Sequence, residues 1–187
     1  MPKLVGTGLN QVPMNSMLGS MAFQDGTSYF RAVQGTAQNS TSGTSIDFTG
    51  IPNWAKRVTI AFAGVSTNGT SQLLVQIGTG SSPTTTGYVS TSNNINQSNG
   101  TAGLSSTSGF ALNQSAAATS VTSGHMVLTN VSGNLWISSH AVKNSTTQVA
   151  TGGGDVTISG ALNMIRITTV NGTDAFDAGS VNIIYEG

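Results

Sequence analysis

Residues 57–63 read RVTIAFA, and this stretch decides the fold class. Val58, Ile60 and Phe62 alternate with small or polar residues, which is the period-two pattern of a β-strand with one buried face. The alternation recurs strongly in three segments and weakly in four: 72–77, 162–169 and 180–185, then 44–48, 88–91, 109–112 and 156–159. No window of about a dozen residues carries a helical period. The sequence therefore predicts an all-β protein, most simply an antiparallel β-sandwich of the jelly-roll type.

The first part of the chain lacks this pattern. We predict an extended N-terminal arm over 1–42, with a turn at Asp25-Gly26 and a short strand at 28–33, followed by the sandwich over 43–187. Ordering one residue costs ~1–2 kcal/mol of backbone entropy, and burying a large apolar side chain returns only about 1.5–3 kcal/mol. We therefore expect another surface, in a sister subunit or a larger particle, to hold the arm. The residues expected to attach are Leu4, Val5, Gln11, Val12, Pro13, Met14, Met17, Leu18, Met21 and Phe23.

Composition excludes several classes of protein. Charged residues make up 6% of the 187, against roughly 25% in an ordinary domain, and the formal net charge is zero. The six Lys and Arg are scattered, so they do not form the basic stripe that binds nucleic acid. There is no cysteine, and no apolar run approaches the ~20 residues of a membrane span. We expect neither nucleic-acid binding nor membrane insertion.

The acidic residues do not form a catalytic pattern. Asp174 and Asp177 are spaced closely enough to suggest a carboxylate pair or a calcium loop, but their Asn-Gly context at 171–172 favours a turn between the last two strands. Neither a Gly-x-Ser-x-Gly motif nor a phosphate-binding loop is present. We expect no enzymatic activity, no catalytic residue and no cofactor.

One hairpin can be registered from the sequence. Segments 126–131 and 134–141 flank Ser132-Gly133, and a two-residue loop there pairs positions whose numbers sum to 265. Leu128 then faces Ile137, Thr129 faces Trp136, and His125 faces His140. Directly paired side chains lie ~4.5–5.5 Å apart at Cβ. The two histidines, His125 and His140, are therefore candidates for a metal site. Two imidazoles at a solvated edge are the simpler interpretation, and we expect no metal.

Three aromatic residues are candidates for stacking on a sugar: Trp54, Tyr88 and Trp136. Both tryptophans also have a structural interpretation. Trp54 beside Pro52 suits the end of a sandwich, and Trp136 suits its core.

Two parts of the chain together resemble tail-fibre proteins of tailed bacteriophages. Residues 8–25, GLNQVPMNSMLGSMAFQD, are similar to a linker motif of such fibres. Residues 50–60 with 64–71, and the close at 166–186, resemble the beginning and end of a terminal fibre module. The resemblance covers most of 44–187, apart from a variable middle at about 88–123. It supplies no catalytic residues.

This resemblance implies a homotrimeric virion protein, assembled in the host cytoplasm. The arm is then expected to attach to other tail or baseplate proteins, and the sandwich to contact a host cell-surface glycan. Only about 42 residues precede the module here, whereas fibres usually carry it on a long shaft. A head decoration or head fibre is therefore a second interpretation, and a free carbohydrate-binding module is a third.

Overall fold

The structure, a computed structural model, describes residues 20–24, 29–98, 100–113 and 117–187, and within them every regular element is a β-strand. The all-β prediction is confirmed. Within these ranges, no helix has the length and apolarity needed to cross a bilayer. The fifteen strands are β1 Ser20–Gln24, β2 Tyr29–Gln34, β3 Gln38–Asn39, β4 Ile46–Thr49, β5 Arg57–Thr67, β6 Leu73–Thr79, β7 Ser82–Pro83, β8 Val89–Asn96, β9 Thr101–Ser106, β10 Phe110–Ala111, β11 Thr122–Ser132, β12 Leu135–Lys143, β13 Gln148–Thr157, β14 Met164–Thr169 and β15 Phe176–Glu186.

The strands form two antiparallel sheets. The larger has ten strands in the order β1-β2-β15-β5-β11-β12-β13-β8-β9, with β3 also paired to β15. The smaller has the order β10-β6-β14-β4, with β7 paired to β6. Side chains from both sheets meet in one apolar core, which gives the sandwich its two layers.

The alternating stretches of the sequence supply this core. Val58, Ile60 and Phe62 of β5 point inward, as their spacing predicts, and each is almost fully buried. β6 and β14 of the smaller sheet are buried along nearly their whole length, because loops cover their second face. Gln76, for example, donates from Nε2 to the carbonyl of Ser108 in such a loop.

The β11–β12 hairpin is present, but the predicted register is wrong by one residue. The turn residues are Gly133-Asn134, with Gly133 at a φ of 52°, so that Ser132 pairs with Leu135. A bulge between Asn130 and Ser132 then shifts the pairing, and Leu128 faces Ser138 while Thr129 faces Ile137. A bulge adds one unpaired residue to one strand, which a count from the turn does not include.

The segment before residue 43 contributes strands to the larger sheet. The short strand expected at 28–33 is present as β2, which pairs with both β1 and the last strand, β15. β3 also pairs with β15. The turn predicted at Asp25-Gly26 lies outside the described residues, and the division into an arm and a module at 42/43 stays a prediction.

Candidate binding surface

The solvent-facing side of the ten-stranded sheet, here called the outer face, is a continuous surface formed by paired strands. Cross-strand neighbours form two rows that run from β15 to β9. No residue in either row is Asp, Glu, Lys or Arg: the first contains Ile184, Thr59, Val127, Ser139, Gly153, Thr91 and Ser105, and the second Asn182, Ala61, His125, Ala141, Thr151, Asn93 and Gly103.

The alternation in β8 is inverted relative to an ordinary strand of a sandwich. Its buried positions are Ser90, Ser92 and Asn94, whereas Val89 and Ile95 are 68% and 47% exposed on the outer face. Two neighbouring strands add further exposed aliphatic side chains to the outer face, Val149 of β13 and Ile137 of β12. The outer face thus carries apolar side chains on both sides of its neutral rows.

A groove of about 580 Å³ opens where β8, β12 and β13 reach their turns; we call it the end groove. Two hairpin turns lie side by side there, joined by a hydrogen bond from the Gln97 amide to the Thr147 carbonyl at 3.1 Å. The second turn is closed by a bond from the Asn144 amide to the Gln148 carbonyl at 3.2 Å. The residues that line the groove are Ile95, Asn96, Gln97, Lys143, Ser145, Thr146, Thr147, Gln148 and Val149.

The end groove combines three kinds of side chain. Ile95 and Val149 are directly paired across β8 and β13, and both are about half exposed. Lys143 is paired to Val149 on the other side, so its ammonium lies at the same end of the sheet. The other lining residues present amides and hydroxyls, and none of the lining residues is acidic. The groove can therefore offer an apolar surface, neutral hydrogen-bonding groups and one positive charge to a ligand.

Two of the three aromatic candidates for sugar contact, Tyr88 and Trp136, lie in the core. The expectation that they stack on a sugar is therefore wrong. Tyr88 is 1% exposed and makes an edge-on contact with Phe110; its hydroxyl bonds the amide and carbonyl of Ile77. Burial raises the pKa of Tyr88 to about 12, because the charged form would be poorly solvated. Trp136 is 3% exposed in the same core. Neither ring is accessible to a sugar.

Trp54 lies at the opposite end of the sheet from the end groove and links the two ends of the described chain. Its ring centroid is 5.6 Å from that of Tyr185 in β15, and the guanidinium of Arg31 in β2 lies 5.5 Å from the Trp54 centroid. Arg31 and Gly187 also exchange backbone hydrogen bonds at 2.8 and 3.0 Å. Trp54 therefore holds β2 against the body of the sandwich through a cation–π and an aromatic contact.

The two histidines do not face each other. His125 pairs with Ala141, and His140 pairs with Met126, so that His125 is exposed on the outer face and His140 is buried on the inner one. The shifted register is the reason, because neighbouring positions of a strand point to opposite faces. Among the described residues, no group of three or more His, Cys, Asp or Glu is placed to hold a metal ion.

His140 belongs to a buried polar cluster beneath β8. Its Nε2 lies 3.1 Å from Oγ of Ser92, which also donates to the Leu112 carbonyl at 3.1 Å. Burial lowers the pKa of His140 to about 4. Nδ1 of His140 and Oγ of Ser138 are buried without a hydrogen-bond partner among the described residues. A buried, neutral imidazole in this setting anchors the segment around Leu112 to the sheet.

Asp174 joins two neighbouring turns, whereas Asp177 joins two paired strands, β15 and β5. Oδ2 of Asp174 accepts from the Ser71 amide at 2.8 Å and Oδ1 from Nδ2 of Asn171 at 2.6 Å. The bond from Asn171, followed by the backbone donors, lowers the pKa of Asp174. Asp177 accepts from the hydroxyl of Ser66. Asp174 thus joins the turn before β15 to the turn after β5, as its Asn-Gly context favours.

The predicted attachment residues fall mainly outside the described chain. Met21 and Phe23 lie in β1, the strand at one edge of the larger sheet. The others lie outside the described residues: Leu4, Val5, Gln11, Val12, Pro13, Met14, Met17 and Leu18.

Sequence reasoning missed the end groove and the exposed aliphatic residues beside it. The signal was present in β8, where Val89 and Ile95 are six residues apart and therefore share a face with Thr91 and Asn93. Only the tertiary structure shows that this face, and not the one with Ser90 and Ser92, is in solvent.

Comparisons of the chain with protein-family models, curated proteins and solved structures give no match.

Proposed function

We propose that this protein is a virion structural protein, a short tail fibre of a tailed bacteriophage. In this proposal it is a homotrimer of jelly-roll-like modules, assembled in the host cytoplasm. The N-terminal arm attaches it to other tail or baseplate proteins, and the outer face with the end groove contacts a host cell-surface polysaccharide. The protein acts by binding, without catalysis, cofactor or metal.

The observation that carries the binding role is the inverted strand β8. A sandwich is most stable when its strands bury aliphatic side chains and expose polar ones, whereas β8 exposes Val89 and Ile95 and buries Ser90, Ser92 and Asn94. Departures from such local rules concentrate at functional sites. Exposed apolar side chains next to polar ones are also a general mark of interaction surfaces. The exposure of Val89 and Ile95 is therefore best explained by a ligand that covers the outer face.

The chemistry of the surface favours a polysaccharide as that ligand. The two rows across the outer face carry hydroxyls, amides and small side chains, which exchange hydrogen bonds with sugar hydroxyls without desolvating charges. A single site of this kind is expected to bind weakly. Three copies in one fibre, each touching a repeating polymer, raise the overall avidity by a factor of about 10² or more.

The resemblance to fibre modules supports this location for the part of the surface that β8 and β9 form. β8 and β9 lie within 88–123, the part of the chain in which that resemblance ends. A surface that selects among host glycans is expected to vary between fibres, whereas strands of the core, such as β5 and β15, are expected to follow the common pattern.

Competition for host cells tests this function. Purified protein in excess is expected to block adsorption of the phage, mass photometry is expected to show a trimer, and labelled antibody is expected to mark the tail of intact particles. Unimpaired adsorption at saturating protein would contradict the receptor role. Antibody on the head would favour a capsid decoration, and a monomer missing from particles would favour a free carbohydrate-binding module.

A matched pair of valines tests the surface. Val149→Glu places a charge in the end groove and is expected to reduce cell binding at least about tenfold, because a carboxylate there must be desolvated on contact. Val131→Glu is the control: Val131 is similarly exposed, at 55% against 50%, but lies in the bulge at the other end of the sheet. Cell-binding assays by flow cytometry compare the two, and an equal loss in both variants would contradict this assignment.

A further inference from the structure

We propose that the end groove binds an anionic sugar unit, and that Lys143 is the residue that selects it. This inference rests on the proposed function and names the class of glycan that the surface recognises. It is carried by the position of Lys143, by the residues around it and by its contrast with the three arginines of the described chain.

Lys143 differs from the arginines of the described chain, each of which has a charged or aromatic partner. Arg166 makes a two-point contact with Asp47, at 2.7 and 2.6 Å, and Arg57 lies 3.6 Å from Glu186. Arg31 lies over the ring of Trp54. No carboxylate of the described residues lies within 4.0 Å of the Lys143 ammonium. Its positive charge is thus available to a ligand.

The local contact of Lys143 leaves most of its hydrogen-bonding capacity unused. Nζ is 3.5 Å from the Val121 carbonyl, beyond the usual range of about 2.7–3.2 Å for an N–H···O bond. An ammonium has three donors. This long contact leaves the donors of Lys143, a lining residue of the groove, free to bind an anion.

The rest of the end groove fits a sugar ring and not a bare anion. Ile95 and Val149 provide an apolar patch about two side chains wide, which suits the C–H face of a pyranose. The hydroxyls of Ser145 and Thr147 and the amide of Gln148 lie around this patch and suit the ring hydroxyls. A carboxylate, sulfate or phosphate substituent on that ring would then meet Lys143. All three sources share the chemistry of an anionic saccharide.

No acidic side chain among the lining residues opposes an anion in this groove. The nearest acidic position along the neighbouring strand is Asp155, six residues from Val149, which corresponds to about 20 Å along β13. At physiological ionic strength the Debye length is about 8 Å, so Asp155 is largely screened from a ligand at Lys143.

The test uses two oligosaccharides that differ only in charge. The full-length protein is titrated with an oligogalacturonate and with the same oligomer after reduction of its carboxylates to alcohols, and binding is followed by ¹H–¹⁵N NMR. The acidic oligomer is expected to shift the resonances of 95–97 and 143–149 and to bind at least about threefold more tightly than the reduced one. A sulfated oligosaccharide and poly-glutamate complete the set of probes.

Lys143→Gln is expected to reduce affinity for the acidic oligomer about three- to tenfold and to leave affinity for the reduced oligomer unchanged. Lys56→Gln is the matched control, since it removes the same charge at the other end of the sheet. The difference between Lys143→Gln and the native protein is expected to shrink in about 0.5 M salt, because an exposed charge is screened. Tighter binding of the sulfated probe than of the reduced oligomer would extend the class to sulfate and support the inference.

Four results would overturn this inference: equal affinity for the charged and reduced oligomers, no shift at the groove with either, equal shifts with poly-glutamate, or a greater effect of Lys56→Gln than of Lys143→Gln. The proposed function fails separately. If the protein blocks phage adsorption but does not discriminate by charge, only the anionic selectivity is wrong; if it does not block adsorption, the receptor role itself is wrong.

Discussion

The two halves of the larger sheet bury different chemistry beneath them. Under β5 and β15, which we call the apolar half, Val58, Ile60 and Ile183 face Ile77 and Ile165 of the smaller sheet. Under β8, β12 and β13, which we call the polar half, the buried side chains include serines, asparagine and histidine: Ser90, Ser92, Asn94, Ser138 and His140.

The halves are therefore held together by different interactions. In the apolar half two regular strand layers pack face to face, and burial of apolar surface contributes most of the stabilisation. In the polar half the sheet holds the short edge strand β10 and the two residues after it, together 110–113, through specific hydrogen bonds. Ser90 Oγ accepts from the Ala111 amide at 3.1 Å, and Ser92 donates to the Leu112 carbonyl at the same distance. Asn113 extends this attachment to Leu73 of the smaller sheet, at 3.1 Å.

This contrast explains why the inner face of β8 carries serines and not aliphatic residues. Because β10 is an edge strand, the backbone groups of 110–113 that β6 does not pair need other partners. A buried N–H or C=O without a partner costs about as much as a lost hydrogen bond. Serine side chains on the inner face of β8 supply these partners. The outer face of the polar half is then free to carry Val89 and Ile95 as a contact surface.

The largest expected effect lies in the apolar half. Ile60→Ala removes a fully buried side chain between the two sheets and is expected to lower the free energy of unfolding by about 2–5 kcal/mol. Guanidinium denaturation followed by fluorescence measures the loss. Ile95→Ala is the control, expected to change stability by less than about 1 kcal/mol because Ile95 is 47% exposed. Similar losses in both variants would mean that burial does not distinguish the two positions.

The free energy of unfolding is expected to depend on pH through His140 of the polar half. Its pKa is about 4 in the folded protein and 6.5 when unfolded, so the unfolded chain binds more protons between these values. The contribution of His140 is complete above pH 6.5 and is lost as the pH falls towards 4. Between about pH 7 and pH 4.5 this amounts to about 2–3 kcal/mol.

Urea denaturation of the native protein and of His140→Gln at several pH values isolates this effect. The variant is expected to be less stable at neutral pH and to lose less stability on acidification, since glutamine does not titrate. The same pH slope in both proteins would show that other groups, such as the hydrogen-bonded Asp174, are responsible.

The smallest expected effect concerns the close approach of β13 to β8. A Cβ at Gly152 would lie 2.3 Å from the Thr91 carbonyl oxygen, 2.6 Å from the His140 ring and 2.8 Å from Cα of Ser92. Gly152→Ala is therefore expected to cost about 1–3 kcal/mol, since two of these atoms belong to the backbone of β8. Gly153→Ala is expected to cost less, because only Ser138 O lies within 3 Å. Thermal denaturation compares them, and a greater loss for Gly153→Ala would contradict the packing argument.

The strands of the apolar half could be predicted from sequence because burial on one face imposes a two-residue period. This was sufficient for β5 and β15. The predicted segments for β6 and β14 of the smaller sheet also overlap the observed strands, although these two strands are buried along nearly their whole length. The polar half gave a weaker signal. Only 156–159 was predicted in the region of β13, since the glycines at 152–154 have low strand propensity, although the strand spans Gln148–Thr157.

The candidate site was harder to predict than the fold, because the burial of its residues does not follow from their residue types. Trp136 and Tyr88 have the side chains that usually stack on sugars, but both are in the core, while Val149 and Ile95 have the side chains of a core and are exposed. Composition does not contain this information. Which side chains are exposed depends on which face of each strand the segment 110–113 covers.

By itself, the sequence determined that this is an antiparallel β protein with very few charges, since residue types and a period of two are properties of the local chain. The tertiary structure decided the hairpin register, the separation of His125 from His140, and the exposure of Ile95 beside Lys143. A one-residue bulge reverses the face of every residue that follows it, and a distant segment decides which face is buried. The bulge is local to one hairpin, whereas the choice of the buried face arises from contacts between residues far apart in the chain.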